Sequence, residues 1–286
     1  MKNPIRIVTD SSCDLPPDLL ERFDIGIVPL NVHFGMECYT DGDLSTDAFW
    51  EKAAQVGVGP KTSQPSVGVF ESIFEPLVAG EGRVLCLTVT GVHSGTFNTA
   101  RLAAQPFHGA VRVFDSQSLS LGLGLQALAA ARAAQAGRSM QEILTLLKDL
   151  RSRVHLLVVL DTLESLRRGG RADGFIAVAD RMTRLLNIKA IVNFVEGHVQ
   201  LLTVARSFGG GLRRVLDLVD SLGSLEQLAV VHARALDKAE EMVDRLAERT
   251  GFSRERIWLR ETGAVLASHA GAGAVGVLAI PERSAV

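Results

Sequence analysis

Residues 83–104 read RVLCLTVTGVHSGTFNTARLAA, and this stretch decides the fold prediction. The apolar, β-branched run 84–89 stops at a polar turn, 90–96, and apolar residues return at helical spacing from Phe97. The order is strand, loop and helix, which predicts an α/β protein.

Two hydroxyl residues of this turn, Ser94 and Thr96, lie where the helix begins. The first turn of a helix leaves backbone N–H groups without partners and carries the positive end of the helix dipole. Ser94 and Thr96 therefore suit a carboxylate or a phosphate. The alternative, equally compatible with the residues alone, is that Ser94 only caps the helix.

The size and composition of the chain favour two ordinary globular domains. The chain has 286 residues, of which 47% are hydrophobic and 22% are charged, with a formal net charge of −2. It can bury a large core, and a strand beginning near Val154 suggests domains at 1–153 and 154–286. The near-neutral charge, the single Tyr and the two Trp argue against a nucleic-acid partner.

Targeting and metal signals are weak throughout the sequence. The opening MKNPIRIVTDSS carries charge and proline where a signal peptide needs an apolar core, and no later segment has the apolar length of a membrane span. We therefore expect a cytoplasmic protein.

The widely separated Cys13, Cys38 and Cys86 suggest small buried side chains, with neither a disulfide nor a zinc site. The scattered histidines suggest no metal.

Further elements follow from hydrophobic periodicity and helix caps. The sequence predicts strands at 5–8, 25–34, 111–114, 154–160, 188–194, 199–205, 228–232 and 257–261. It predicts helices after the polar turn 9–17 and near 46–50, 67–77, 119–136, 142, 178–186, 211–221 and 236–250. Asp14 or a nearby Ser is expected to cap the first helix, and Ser139 and Glu142 form a capping box.

Several polar loops follow predicted strands, and they could form one binding site. The loop 61–66, KTSQPS, places three hydroxyls just ahead of a helix. Such hydroxyls serve routinely as turn formers and caps. Their repetition in an α/β chain favours a ligand, because ligands of open parallel sheets bind outside the carboxyl ends of the strands.

Two glycine patterns match a dinucleotide fingerprint in letters, but their context does not fit. Gly122 and Gly124 lie inside a predicted helix, where they indicate close helix packing, and the pattern 271–276 is too near the end of the sequence for a βαβ unit. A Walker motif is also absent, so nucleotide binding is disfavoured.

Two further positions could face an anion. Gly169 and Gly170 would end a short helix and present Arg171, which could equally pair with an acid in the fold. His269 precedes alternating glycines, whose bare backbone N–H groups can approach a ligand while the imidazole donates a hydrogen bond.

Taken together, the loops resemble one known family in order and spacing. The matching segments are 7–16 (IVTDSSCDLP), 61–66 (KTSQPS), 94–96 (SGT), 115–116 (DS), 163–171 (LESLRRGGR) and 269–276 (HAGAGAVG). The chain is similar to the DegV family nearly from end to end. His93, where leucine is common, and Cys13, where a third serine is common, depart from the usual pattern.

This resemblance implies a two-domain α/β fold that holds one long-chain fatty acid between the domains. It also implies a lipid-binding subunit of a bacterial fatty acid kinase, without a catalytic centre or cofactor of its own. A separate ATP-binding kinase subunit would phosphorylate the carboxylate, giving an acyl phosphate for phospholipid synthesis.

The resemblance further assigns roles to individual residues. Thr62 and Ser94 would hydrogen-bond the carboxylate, and Arg171 would supply positive potential near it. Arg206 would serve the face that docks the kinase. The whole predicted ligand-binding set is Thr62, Ser63, Ser94, Gly95, Thr96, Arg171 and His269.

Two other classes of function stay open at this point. One is an ester or thioester hydrolase with Ser94 as nucleophile and His269 as base, although the sequence has no G-x-S-x-G around Ser94 and identifies no orienting acid. The other is a non-lipid carrier or sensor, which would have a pocket too short or too polar for an acyl chain.

Overall fold

The computed structural model describes residues 5–56, 59–162 and 188–283. These residues form two compact units. The first unit runs up to Ser152 and also includes Gly263–Val265, and the second comprises Arg153–Thr262 and the chain from Leu266 onward. The predicted division at 153/154 assigns Gly263–Val265 to the second domain, so this short return of the chain is new.

The first unit contains two sheets. Its strands are β1 (Ile5–Asp10), β2 (Ile25–Val28), β3 (Asn31–Phe34), β4 (Glu37–Thr40), β5 (Lys61–Ser63), β6 (Arg83–Thr88) and β7 (Val111–Asp115). A parallel sheet has the order β2-β1-β6-β7, and a small antiparallel sheet has the order β4-β3-β5. The single strand predicted at 25–34 is wrong: Pro29, which cannot donate to a ladder, separates β2 from β3.

The described residues of this unit form six α-helices, some of which cover the parallel sheet. They are α1 (Pro17–Arg22), α2 (Thr46–Gln55), α3 (Val67–Val78), α4 (Thr96–Ala104), α5 (Leu121–Gln135) and α6 (Met140–Arg153). Buried side chains of α3 and α4, such as Phe70, Phe74 and Ala100, pack against Val8 and Cys86 of the sheet. This apolar layer fixes the strands whose ends carry the polar loops.

Side-chain caps mark the starts of α2, α3 and α6, whereas α1, α4 and α5 have none. The capping box before α6 is confirmed, because the Ser139 N–H donates to Glu142 Oε2 at 2.8 Å and the Glu142 N–H donates to Ser139 Oγ at 3.3 Å. The predicted cap of α1 is wrong. Pro16 occupies the N-cap position without a side-chain hydrogen bond, and Asp14 bonds to groups distant in sequence.

The predicted burial is confirmed for two of the three cysteines and is wrong for the third. Cys13 and Cys86 are buried free thiols, whereas Cys38 is exposed on β4. Cys38 escapes burial because β4 is an edge strand of the small sheet and its residues 37–38 are exposed.

The second unit is built on one mixed sheet. Its strands are β8 (His155–Leu160), β9 (Lys189–Val195), β10 (His198–Ala205), β11 (Leu225–His232), β12 (Trp258–Glu261) and β13 (Val275–Pro281). The strand order is β10-β9-β8-β13-β11-β12, so β13 lies in the interior of the sheet. The hairpin predicted around Glu196 and Gly197 is confirmed.

Three described helices follow in this part of the chain. They are α7 (Phe208–Asp220), α8 (Leu236–Thr250) and α9 (Ala264–Ala270). The ends predicted for α8 are confirmed. α7 begins earlier than predicted because the Ser207 hydroxyl caps it by accepting from the Gly210 N–H at 3.1 Å. The predicted helix 178–186 and Gly169–Gly170 lie outside the described residues.

None of the helices formed by the described residues is long and apolar enough to cross a membrane.

Candidate functional site

Two carboxylates hold the loop that follows β6. Asp10, at the end of β1, accepts a hydrogen bond from the Val89 N–H at 2.6 Å. Asp115, at the end of β7, accepts from the Gly91 N–H at 3.1 Å. Because β6 lies between β1 and β7, each neighbouring strand fixes one backbone position of the loop that leads to Ser94.

Asp10 is an unusual group because it is fully buried. Its Oδ1 also accepts from the Ser12 N–H at 3.1 Å and the Ser12 hydroxyl at 2.5 Å. Burial raises the pKa of Asp10 from 3.8 to about 6, since desolvation outweighs these hydrogen bonds, and the charge of Asp14 adds to the rise. A buried carboxyl is thus used to orient backbone at the site.

Ser94 and Thr96 share a hydrogen bond at the start of α4. Their hydroxyl oxygens lie 2.8 Å apart, and the Thr96 N–H donates to Ser94 Oγ at 3.3 Å. Thr96 is fully buried and Ser94 is half-buried. The N-cap residue is Gly95, which has no side chain, so Ser94 bonds to the first helical residue from the position before the cap.

This pair has a definite hydrogen-bonding capacity. Each hydroxyl carries one hydrogen, and one of the two hydrogens is used between the oxygens. The other hydrogen is available to an acceptor such as a carboxylate oxygen. The half-buried Ser94 is the member of the pair that a ligand can reach.

Thr62 and Ser63 lie on β5 and point to opposite faces of the small sheet. In the register of β3 and β5, Thr62 is opposite the buried Val32 and Ser63 is opposite Asn31. Successive side chains of a strand alternate between faces. Thr62 and Ser63 are adjacent in the sequence, but the strand directs their side chains to opposite faces.

Ser63 has partners that the sequence did not indicate. Its Oγ lies 2.9 Å from His33 Nε2 and accepts from Asn31 Nδ2 at 3.4 Å. His33, two residues after Asn31 on β3, shares its face. Only the register of β3 against β5 brings this histidine to the predicted site loop.

The prediction of a loop over 61–66 is wrong for 61–63, which form β5. The segment after β5 meets the Ser94 loop through Gln64 and Gly95. A Cβ placed on Gly95 would lie 2.7 Å from Gln64 Nε2 and 2.8 Å from its Cδ. The Gln64 side chain therefore lies directly against the Gly95 backbone. A larger residue at position 95 would displace the Gln64 side chain. The structure brings together the two hydroxyl loops predicted from the sequence.

His269 lies in a helix, and the prediction that it belongs to a loop is wrong. It occupies the last turn of α9 and is half-buried. The glycines after it do not offer free N–H groups. The Gly271 N–H donates to the Ala267 carbonyl at 2.9 Å, and the Gly273 N–H donates to the Ala233 carbonyl at 2.7 Å.

These glycines instead allow a tight turn into β13. Gly271 has φ of 72° and Gly273 has φ of 90°, both in the region that favours glycine. Gly276 lies on β13 itself, and a Cβ there would come within 2.9 Å of Val231 Cγ2. Turn geometry and close strand packing explain the glycine pattern.

The structure describes one of the two arginines predicted to have a functional role. Arg206 is exposed between β10 and α7. Arg171 lies outside the described residues. Across the described ranges, no group of three or more His, Cys, Asp or Glu side chains could hold a metal ion.

Comparison with known proteins gives relatives that match nearly the full length of the chain. A DegV domain-containing protein of Deinococcus radiodurans is 37% identical over 281 residues, covering 97% of this chain and 98% of the relative. A solved structure described as fatty acid binding of a DegV family protein from Thermus thermophilus is 31% identical, with a TM-score of 0.88. It covers 98% of this chain and 100% of that protein.

A second solved structure, described as DegV, a fatty acid binding protein from Bacillus subtilis, is 28% identical with a TM-score of 0.86. It covers 98% of this chain and 100% of that protein. The family model described as "Uncharacterised protein, DegV family" matches residues 4–282. With a match of this length and relatives of this identity, the chain belongs to the DegV family.

Proposed function

We propose that this protein binds one long-chain fatty acid and presents its carboxylate to a separate ATP-dependent kinase subunit. The observation that carries fatty-acid binding is the full-length similarity to the Thermus thermophilus protein, whose structure is described as fatty acid binding. The Ser94 and Thr96 hydroxyl pair supports it, because it offers a hydrogen to an anionic oxygen at the end of β6.

The head group would be held by Thr62 and Ser94, with His269 as a further donor and Arg171 supplying positive potential. Gly95 and Thr96 would shape the Ser94 loop, and Ser63 would lie beside Thr62. The acyl chain supplies most of the affinity, since burial contributes about 0.8 kcal/mol per CH₂. The hydroxyls then fix the orientation of the carboxylate.

The proposal is tested first by mass spectrometry of an organic extract of the purified protein, with protein quantified in the same sample. We expect a near-stoichiometric amount of fatty acid. An extract without lipid, together with no binding of added fatty acids, would contradict the proposal and favour a non-lipid carrier.

Ser94→Ala and Thr62→Val are each expected to weaken fatty-acid binding by about 1.5–3 kcal/mol, because each removes a hydrogen bond to a charged group. Isothermal titration with oleate measures the loss. The matched control is Ser72→Ala, which removes an exposed hydroxyl from α3 that bonds only to the Val69 carbonyl in the same helix. Equal affinities for all three variants and the wild type would remove Thr62 and Ser94 from the site.

The kinase role rests on family resemblance and on the exposed position of Arg206. We expect acyl phosphate to form only when this protein, ATP and a separate kinase subunit are combined. Arg206→Glu should reduce that rate by about 10-fold or more. A docking surface that attracts the positive charge of Arg206 would repel the negative charge of Glu. Oleate affinity should be unchanged, and a full rate with the variant would show that docking uses another surface.

A further inference from the structure

The chain returns to the first unit for three residues just before the helix that carries His269. After β12 ends at Glu261, Gly263–Val265 belongs to the first unit, and the chain from Leu266 belongs to the second. α9 begins at Ala264, so its first turn lies in this short return.

Two aspartates bond to backbone N–H groups at that first turn. The Gly263 N–H donates to Asp14 Oδ1 at 2.9 Å, and the Val265 N–H donates to the Asp41 carboxylate. A Cβ on Gly263 would lie 3.6 Å from Asp41 Oδ1 and 3.7 Å from Asp14 Oδ1. Both carboxylates therefore face the same point of the chain, where helical N–H groups lack intrahelical partners.

Both carboxylates are themselves held in place. The Ser120 hydroxyl donates to Asp14 Oδ2 at 2.5 Å, and the Ser11 hydroxyl bonds to Asp41. Ser120 is buried and has φ of 53°, a conformation rarely adopted by residues other than glycine. Such backbone persists only where its surroundings determine it, so the Asp14 contact is part of a rigid arrangement.

α9 depends on such contacts because it is short. It has seven residues, and a helix of this length does not form in water without external partners. His269 is the sixth of these residues, so its backbone belongs to the helix that this first turn begins.

We propose that Asp14 and Asp41 are positioning residues that clamp the first turn of α9 and thereby orient His269 toward the ligand. The link to the ligand rests on the proposed function, in which His269 donates to the carboxylate. The clamp itself is a property of the protein without ligand, and it can be measured separately.

The clamp is tested by hydrogen–deuterium exchange of the full chain, read on peptides that cover α9 and β6. In Asp41→Ala, and in Asp14→Ala, exchange of the α9 amides should accelerate by about 10-fold or more, because a hydrogen bond to a charged group is lost. Exchange in β6 should be unchanged, which shows that the first unit is folded. Asp18→Ala, an exposed aspartate of α1, is the matched control. Unaltered α9 exchange in both clamp variants would overturn the inference.

A double-mutant cycle with oleate tests the link to His269. Asp41→Ala should weaken oleate binding by about 10-fold in the wild-type background. In His269→Ala, the same change should have an effect below about 2-fold, because the two residues act through one interaction. An equal loss in both backgrounds, or no loss in the wild type, would overturn the positioning role. If the wild-type chain binds no added fatty acid, the proposed function fails, and the exchange experiment still decides whether the clamp exists.

Discussion

Asp10→Ala is expected to lower the free energy of unfolding of the first unit by about 2–5 kcal/mol. The substitution leaves the Val89 N–H and the Ser12 N–H and hydroxyl without their acceptor inside a fully buried site, and each unsatisfied group costs about 1–3 kcal/mol. Relief of the buried charge offsets part of this cost. Urea unfolding followed by Trp50 fluorescence measures it, in a Trp258→Phe background that leaves one tryptophan in the first unit.

Asp18→Ala is the control, because Asp18 is exposed and its loss should change stability by about 0.5 kcal/mol or less. A pH series adds a second readout. The folded-state pKa of Asp10 is raised, so the unfolded state binds fewer protons between pH 3.8 and about 6. The contribution of Asp10 to stability therefore falls as pH rises through this window and levels off above it.

Asp41 shows the same raised pKa, about 6, caused first by burial. Removing Asp10 should therefore reduce the downward slope between pH 4 and 6 without abolishing it. An Asp10→Ala variant as stable as the wild type, with an unchanged slope, would mean that the Val89 loop is held by other contacts.

Gly124→Ala is expected to destabilise the first unit by about 1–3 kcal/mol, the range typical of overpacking. A Cβ at this position of α5 would lie 2.4 Å from the carbonyl oxygen of Cys13 and 2.9 Å from Leu15 Cγ. The carbonyl belongs to backbone and cannot rotate away as a flexible side chain can. The same Trp50 unfolding experiment measures the loss.

Gly68→Ala, in the first turn of α3 in the same unit, is the matched control because Gly68 is exposed and a Cβ there would meet only Ser66 Oγ, at 3.9 Å. Alanine should be neutral or stabilising by about 0.5–1 kcal/mol at this helical position. A Gly124→Ala variant that unfolds like the wild type would show that α5 can move away from the turn at Ser11–Cys13 at little cost.

Elements with a strong period and clear end signals were predictable from sequence. The amphipathic α8 and the capping box before α6 are examples. The prediction failed for α9 and β13. Their residues, 264–281, include the run 270–274 (AGAGA), which gives no helix or strand period. The conformation of α9 and β13 depends on Asp14 and Asp41 and on burial between β8 and β11.

The geometry of the candidate site could be predicted only in part. The position of Ser94 at a strand-to-helix turn follows from the sequence pattern, whereas Thr62 was expected in a loop and lies on β5. The roles of Asp10 and Asp115 require the knowledge that β6 lies between β1 and β7, which sequence order alone does not reveal. Hydrophobic periodicity does not identify His33 as a neighbour of Ser63, because their contact depends on the register of β3 against β5.

The interior position of β13 has a consequence during synthesis of the protein on the ribosome. β13 is the last described strand in the chain, yet it pairs with β8 on one side and β11 on the other. Until it has been translated, the facing edges of both strands lack their native partner, and exposed edges invite pairing with other chains. The second unit can therefore complete its sheet only after β13 has been translated, and until then the unpaired edges of β8 and β11 are sites where the nascent chain can aggregate.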